Sequence, residues 1–269
     1  MTMTRAQMKN AAKAAIHDTK PSLVWITLVY LLIVALLNVL ALSVGGDLEA
    51  MGEMMRQLTE TGSFEQILPE TTAFGNLLVV AMDFMSIVLG VGFTIACLNV
   101  SRRLGCSFGN LFDGFGMFFR ALGVELMISF IVGAWMMLYA LIAVGLSAAA
   151  GPFMSFVCLP LLIPAYRAVY AYRQATFLMI DNAQLNAFQC LVVSKRLMMG
   201  HKWELFVMDL SFLGWDLLCL IPFVGLWVRP YKQTTYALYY SQLMLTSAAQ
   251  AGFAPPPETP EDAGQGPEE

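Results

Sequence analysis

An uncharged apolar run near the N-terminus constrains this chain more than any other feature. Residues 22–44, SLVWITLVYLLIVALLNVLALSV, contain more than twenty residues without one acidic or basic side chain. A segment of about 20 apolar residues is long enough to cross the hydrocarbon core of a bilayer. The apolar region of a signal peptide is only about 7–15 residues long. The run therefore predicts a membrane span that is not cleaved.

The composition agrees with a bilayer as the main solvent of the chain. Of 269 residues, 58% are hydrophobic and 13% are charged, whereas soluble domains carry about 25% charged residues. No basic patch with interleaved aromatic residues is present, which argues against nucleic-acid binding. The five cysteines are scattered, with no CxxC and no neighbouring histidine. They predict buried apolar side chains rather than a metal site.

Further apolar segments predict an all-α, polytopic membrane protein with about six transmembrane helices and additional interfacial amphipathic helices. The predicted spans are residues 22–44, 74–100, 121–146, 152–170, 203–220 and 224–244. They lie within a transmembrane domain of residues 21–249, which follows an N-terminal segment of residues 1–20. The tail of residues 250–269 is rich in Pro, Gly and Glu, and is expected to be disordered.

The charges in the loops predict the orientation of the chain. The loop of residues 45–73 holds six acidic residues and one basic residue, so we expect it outside. The loop after the second predicted span carries Arg102, Arg103 and Arg120, and the positive-inside rule places it in the cytoplasm. Both termini are then expected on the cytoplasmic side.

Two amphipathic segments predict helices at the membrane surface. In residues 4–17, three basic residues recur every four positions, and a separate face carries Met8, Ala12 and Ile16. This helix would lie flat on an anionic leaflet or serve as an ordinary positive flank of the first span. A second helix is predicted by aromatic residues at helical spacing, namely Phe108, Phe112, Phe115 and Phe119.

Residues 203–244 fit either one long span or two antiparallel helices. A single span would bury Asp209 and Asp216 and place the following basic residues outside, against the positive-inside rule. Two helices would turn at IPFVG, where Pro222 and Gly225 punctuate the sequence. Each arm would be about 27–31 Å long, enough to cross the hydrocarbon core. The hairpin is the favoured interpretation.

The hairpin would place ionisable residues at matching depths. Asp216 and Arg229 would each lie roughly 8–9 Å from the turn, where an ion pair would offset the insertion cost of about 2.5–3.5 kcal/mol per charge. Asp209 would lie level with Tyr236, and Asp83 lies within the second span. Intramembrane carboxylates are candidate functional sites, although hydrogen bonds between helices account for them equally well.

Two motifs in the C-terminal half resemble a known family. SKRLMMGHKW at residues 194–203 and LSFLGW at residues 210–215 are similar to the bacterial integral-membrane proteins catalogued as domain of unknown function 975. The resemblance implies a multi-pass protein of the bacterial plasma membrane without an established activity. Asp216 and Arg229 depart from its pattern, which is usually apolar there. The motif residues expected at the interface are Gly200, His201, Lys202, Trp203, Ser211, Trp215, Pro230 and Tyr231.

No motif for catalysis is present, since the chain lacks a nucleotide-binding glycine loop, H-E-x-x-H and G-x-S-x-G. We expect no enzyme activity, no cofactor and no metal. His201 beside Glu204 would relay protons or help to anchor the chain at the interface. The leading hypothesis is a non-enzymatic envelope accessory that contacts the lipid bilayer and binds a membrane protein or a second copy. The alternative is a small transporter or lipid-handling protein that uses intramembrane Asp residues.

Overall fold

The computed structural model describes residues 3–44, 52–53, 55–56, 59, 73–151, 160, 162–221 and 223–251. Every regular element in these ranges is a helix, which confirms the all-α prediction. The helices are α1 (Arg5–His17), α2 (Leu23–Val44), α3 (Ala73–Ser101), α4 (Asn110–Asp113), α5 (Phe118–Ala150), α6 (Leu162–Tyr172), α7 (Ala175–Asp181), α8 (Ala187–Leu197), α9 (Lys202–Leu210), α10 (Leu213–Leu218) and α11 (Gly225–Ala251). Most of the acidic loop, the start of the fourth predicted span and the tail lie outside the described residues.

Three helical stretches in the described ranges are long and apolar enough to cross a membrane. They are Leu23–Val44, Ala73–Ser101 and Asn110–Ala148, and they correspond to the first three predicted spans. Large apolar side chains cover their surfaces; Phe130 and Leu141 of α5, for example, are 79% and 72% exposed. Exposed apolar surface of this extent indicates a lipid or protein environment rather than water.

The surroundings of α3 change along its length. In residues 73–87 only Gly75 is buried, whereas residues 88–100 are buried except for Gly90 and Asn99. The buried half contributes to three apolar clusters, because Phe93 packs with α2, Val91 with α5 and α7, and Leu98 with α1, α9 and α11. The C-terminal half of α3 is therefore the centre of the core.

Two glycines allow the chain after α3 to pack closely against it. A Cβ atom on Gly92 of α3 would overlap the carbonyl oxygen of Leu111 in α4. A Cβ on Gly114, in the 3-10 turn Gly114–Met117, would overlap the carbonyl oxygen of Val88. The aromatic segment is thus divided between α4, this turn and α5, and does not form the single predicted helix. Its four phenylalanines are nevertheless exposed.

Helix α1 packs on the protein. Thr4 and Gln7 form a capping box at its start, and the expected apolar face buries Met8 and Ala12 against the core. The ammonium group of Lys9 donates to the carbonyl of Ser211 at 3.1 Å and lies 4.1 Å from the centroid of the Phe212 ring. Burial lowers the pKa of Lys9, and the charge of Lys13 lowers it further.

The predicted fifth span is not one continuous helix. Helix α9 ends at Leu210, a turn at Ser211 and Phe212 follows, and α10 is only six residues long. The chain then folds back after Ile221 and continues as α11, which contacts α10, α1, α2 and α3. This layout brings the polar residues of α9 and α11 together.

Candidate functional site

Three helices meet at the carboxylate of Asp209, near the end of α9. The hydroxyl group of Tyr170, on α6, donates a hydrogen bond of 2.7 Å to Oδ2. The hydroxyl group of Tyr236, on α11, donates to Oδ1. Nη1 of Arg173, just after α6, lies 3.5 Å from Oδ2. Both carboxylate oxygens are therefore bonded to side chains of other elements.

Two further contacts complete this group, which we call the Asp209 cluster: Tyr166, Tyr170, Arg173, Asp209 and Tyr236. The Tyr166 and Tyr170 hydroxyl oxygens are 2.9 Å apart, and the guanidinium carbon of Arg173 lies 4.7 Å from the centroid of the Tyr236 ring. The side chains of Asp209 and Arg173 are 20% and 32% exposed. A carboxylate withdrawn from water to this degree needs such partners to offset its lost hydration.

Local sequence spacing explains how the cluster forms. Tyr166 and Tyr170 are four residues apart and share one face of α6. Phe206 and Asp209 are three residues apart and share one face of α9. The Phe206 ring packs edge-on against both tyrosine rings, with centroid distances of 5.8 and 6.3 Å. Aromatic packing between α6 and α9 thus places Asp209 opposite Tyr170.

Asp209 and Tyr236, which were expected at the same depth, are joined by a hydrogen bond. Asp216 does not pair with Arg229, as the sequence predicted, but with Lys232. Nζ of Lys232 lies 2.7 Å from Oδ2 of Asp216, while Arg229 is exposed on α11. The predicted pairing assumed two straight arms. The first arm is broken after Leu210, and Asp216 meets Lys232, which lies three residues, or about one helical turn, beyond Arg229.

Asp83 stands apart from the Asp209 cluster. It lies on the exposed side of α3, in the half that contributes little to the core. The two intramembrane carboxylates proposed from the sequence therefore have different surroundings. Asp209 is bonded within the protein, and Asp83 lies on its surface.

The first family motif forms the turn before α9. Gly200 has a φ of +84°, in the left-handed region that favours glycine. Nδ1 of His201 lies 3.1 Å from Oε2 of Glu204, and the Tyr239 hydroxyl donates to the His201 carbonyl at 3.2 Å. Lys202 is half-buried, and Trp203 is 71% exposed. These contacts attach the turn to α11.

The second motif forms the contact between α10 and α11. The Tyr231 ring packs edge-on against Phe212 and Trp215, with centroid distances of 5.3 and 6.2 Å. Ser211 follows the end of α9, and Pro230 is buried within α11. Both motifs thus occur where α9 and α10 pack on α11.

Comparison with known proteins decides the family. The model of the family described as "Protein of unknown function (DUF975)" matches residues 1–247, most of the chain. The chain belongs to the DUF975 family. The resemblance seen in the two motifs is thereby confirmed. Searches of curated proteins and of solved structures each returned no match.

Sequence reasoning missed several polar contacts of this DUF975 protein. Arg102 forms a bidentate ion pair with Asp181, with N–O distances of 2.8 and 2.5 Å, and this contact joins the end of α3 to α7. This hydrogen bonding raises the pKa of Arg102. The Tyr-x3-Tyr spacing before Arg173 was the available signal for the Asp209 cluster. In the described residues, no group of three or more His, Cys, Asp or Glu is arranged to hold a metal ion.

Proposed function

We propose that this chain is a non-enzymatic, multi-pass protein of the bacterial plasma membrane that acts as an envelope accessory and binds another membrane protein. The Asp209 cluster is the observation that supports this proposal. Both oxygens of Asp209 already bind hydroxyl groups of the chain. A carboxylate that acts on a substrate must exchange such bonds for substrate contacts, whereas one that joins helices keeps them.

The proposal includes four membrane crossings and cytoplasmic termini. Helices α2, α3 and α5 would supply the first three crossings, and α6 would end the fourth. The predicted hairpin of residues 203–244 would not cross the membrane, because α1, on the cytoplasmic side, contacts both of its arms through Lys9 and Lys13. Its arms would be antiparallel, because the Asp216–Lys232 and Asp209–Tyr236 contacts lie at increasing distance from one turn. Apolar residues are also exposed near that turn; Leu220 is 82% exposed and Phe223 is 77% exposed.

One observation favours the alternative of a small transporter or lipid-handling protein. Asp83 lies exposed midway along α3, a helix that is long and apolar enough to cross a membrane. A carboxylate at that depth is costly in lipid, and such residues mark ion pathways in many membrane proteins.

Replacing Asp209 separates the two proposals. Asp209→Leu removes both hydroxyl contacts and should lower the amount of folded protein, while Asp209→Asn keeps an acceptor and should lower it less. In a strain that lacks the gene, each variant should restore the wild-type phenotype in proportion to its folded amount. The control is Asp113→Asn, at an exposed carboxylate of α4. Complete loss of rescue by Asp209→Asn at an unchanged protein level would instead support the transporter.

Chemical labelling tests the proposed topology. In a variant without the five native cysteines, a single cysteine in residues 250–269 should resist an impermeant thiol reagent in intact cells. It should react once the membrane is permeabilised. A cysteine in residues 45–73 serves as the matched control and should react in both cases. Labelling of the tail in intact cells would contradict the proposed topology.

A further inference from the structure

An open groove lies where α1, α2, α10 and α11 come together. Its volume is about 440 Å³, within the range of about 300–1,000 Å³ that is typical of small-ligand sites. The indole rings of Trp215 and Trp227 and the ring of Tyr231 line it, together with aliphatic side chains. Its polar lining comes from Lys13 and His17 of α1 and from residue 22, before α2.

The charge in the groove has one sign. Lys13 is exposed, and its Nζ lies 5.4 Å from the centroid of the Tyr231 ring. Among the described residues that line the groove there is no acidic side chain. Asp216, which follows Trp215 in α10, already pairs with Lys232. The groove therefore suits a ligand with an anionic group and an apolar body.

The groove lies at the end of an apolar helix that is long enough to cross a membrane. Its lining includes the residues at the start of α2, a candidate span that begins at Leu23. Trp25, in the first turn of α2, is 61% exposed, and Trp227 is 60% exposed. Exposed tryptophans concentrate at the level of the lipid headgroups. Basic residues near a span attract anionic lipids of the adjacent leaflet.

We propose that this groove binds an anionic phospholipid of the leaflet on the N-terminal side of α2. The phosphate would lie against the ammonium group of Lys13, with His17 beside it. The glycerol and the first methylenes would pack between Trp215, Trp227 and Tyr231, and the acyl chains would continue along the exposed apolar surface of α2. This inference rests on the membrane crossing of α2 and does not require a protein partner.

Tryptophan quenching by brominated lipids tests the proposal, because two of the groove residues are tryptophans. The full-length chain carries Trp25→Phe, Trp135→Phe and Trp203→Phe, so that emission comes from Trp215 and Trp227. It is reconstituted in phosphatidylcholine bilayers that contain a small fraction of brominated phosphatidylglycerol or of brominated phosphatidylcholine. Half-maximal quenching should require an about fivefold lower fraction of brominated phosphatidylglycerol than of brominated phosphatidylcholine. This is the ratio expected from one favourable contact of a lysine with an anionic lipid.

Matched variants assign the preference to the groove. Lys13→Gln should abolish the preference for phosphatidylglycerol, while Lys13→Arg should retain it. Lys195→Gln makes the same charge change at an exposed position of α8, and it should also retain the preference. Equal quenching by the two lipids, or equal losses in Lys13→Gln and Lys195→Gln, would overturn the proposal.

A soluble competitor identifies the source of the phosphate. Inorganic phosphate in excess over the lipid should leave the preference unchanged, because it lacks the apolar body that the aromatic walls contact. If inorganic phosphate removes the preference at a concentration similar to that of the lipid, the site is one for a free anion. The phospholipid proposal is then wrong.

Discussion

The C-terminal half of α3 and the length of α5 are both apolar, yet they have opposite surroundings. In the most apolar 18 residues of α3, 39% of the residues are buried inside the protein, whereas 6% are buried in the corresponding part of the stretch that contains α5. Helices α1, α2, α4, α7 and α11 and the first turns of α5 cover α3, while the rest of α5 presents Phe130 and Leu141 to its surroundings. Apolar sequence therefore occurs here in two kinds of helix, one that forms the core and one whose apolar surface is exposed.

Polar contacts follow the same division. The Asp209 cluster and the ion pair between Arg102 and Asp181 lie near the buried half of α3, since Tyr170 and Tyr236 belong to the same apolar cluster as Leu98. Asp83, by contrast, lies in the exposed half of α3. Polar side chains between packed helices lose their contact with water and need hydrogen-bond partners within the protein.

Truncation of one leucine in each region should show the largest difference. Leu98 is 1% exposed in α3, and Leu98→Ala should destabilise the protein by about 3 kcal/mol, because it leaves a cavity in a packed core. Leu141 is 72% exposed in α5, and Leu141→Ala should cost less than about 0.5 kcal/mol. Denaturant titration in mixed micelles measures both changes. Equal losses would remove the distinction between the two helices.

Adding one methyl group to a glycine in each region should give a smaller difference. Gly92→Ala forces a Cβ into the Leu111 carbonyl and should cost about 1–3 kcal/mol. Gly133 of α5 has no atom within 4 Å of an added Cβ. Gly133→Ala should be neutral or stabilising, because alanine favours a helix by up to about 1 kcal/mol. A thermal shift assay compares the two variants, and tolerance of Gly92→Ala would refute the close approach.

The smallest expected effect concerns the ion pair on the hairpin. A double-mutant cycle with Asp216→Leu and Lys232→Leu should give a coupling free energy of about 0.5–1 kcal/mol, since both side chains are partly exposed. The control cycle, with Asp216→Leu and Arg229→Leu, should give none. If only the control cycle gives a coupling free energy, Asp216 pairs with Arg229, as expected from the sequence, and not with Lys232.

The sequence predicted those helices that are determined by their own length and hydropathy. The apolar run of residues 22–44 appears as α2, and residues 74–100 and 121–146 lie within α3 and α5. Length and hydropathy determine such helices without knowledge of their neighbours. The apolar face of α1 was also predicted from periodicity, but its binding surface on α11 was not.

Partners between helices could not be predicted in the same way. Asp209 and Tyr236 were expected at one depth because both arms were counted from one turn. Tyr170 and Arg173 come from α6, and only tertiary packing decides which face of α6 meets α9. At the break after Leu210, the Ser211 carbonyl accepts a hydrogen bond from Lys9 of α1, a contact between distant parts of the sequence. Counting residues in a straight helix consequently gave the wrong partner for Asp216.

Spin-label accessibility tests most directly the claim that α5 faces lipid while the second half of α3 faces protein. In a variant without native cysteines, labels are placed at Phe130, Met137 and Leu141, and at Cys97 for comparison. The α5 labels should collide often with oxygen, which dissolves in lipid, and rarely with a water-soluble nickel chelate. The label at Cys97, which is fully buried, should collide rarely with both. Frequent collision of the α5 labels with the nickel chelate would contradict the account.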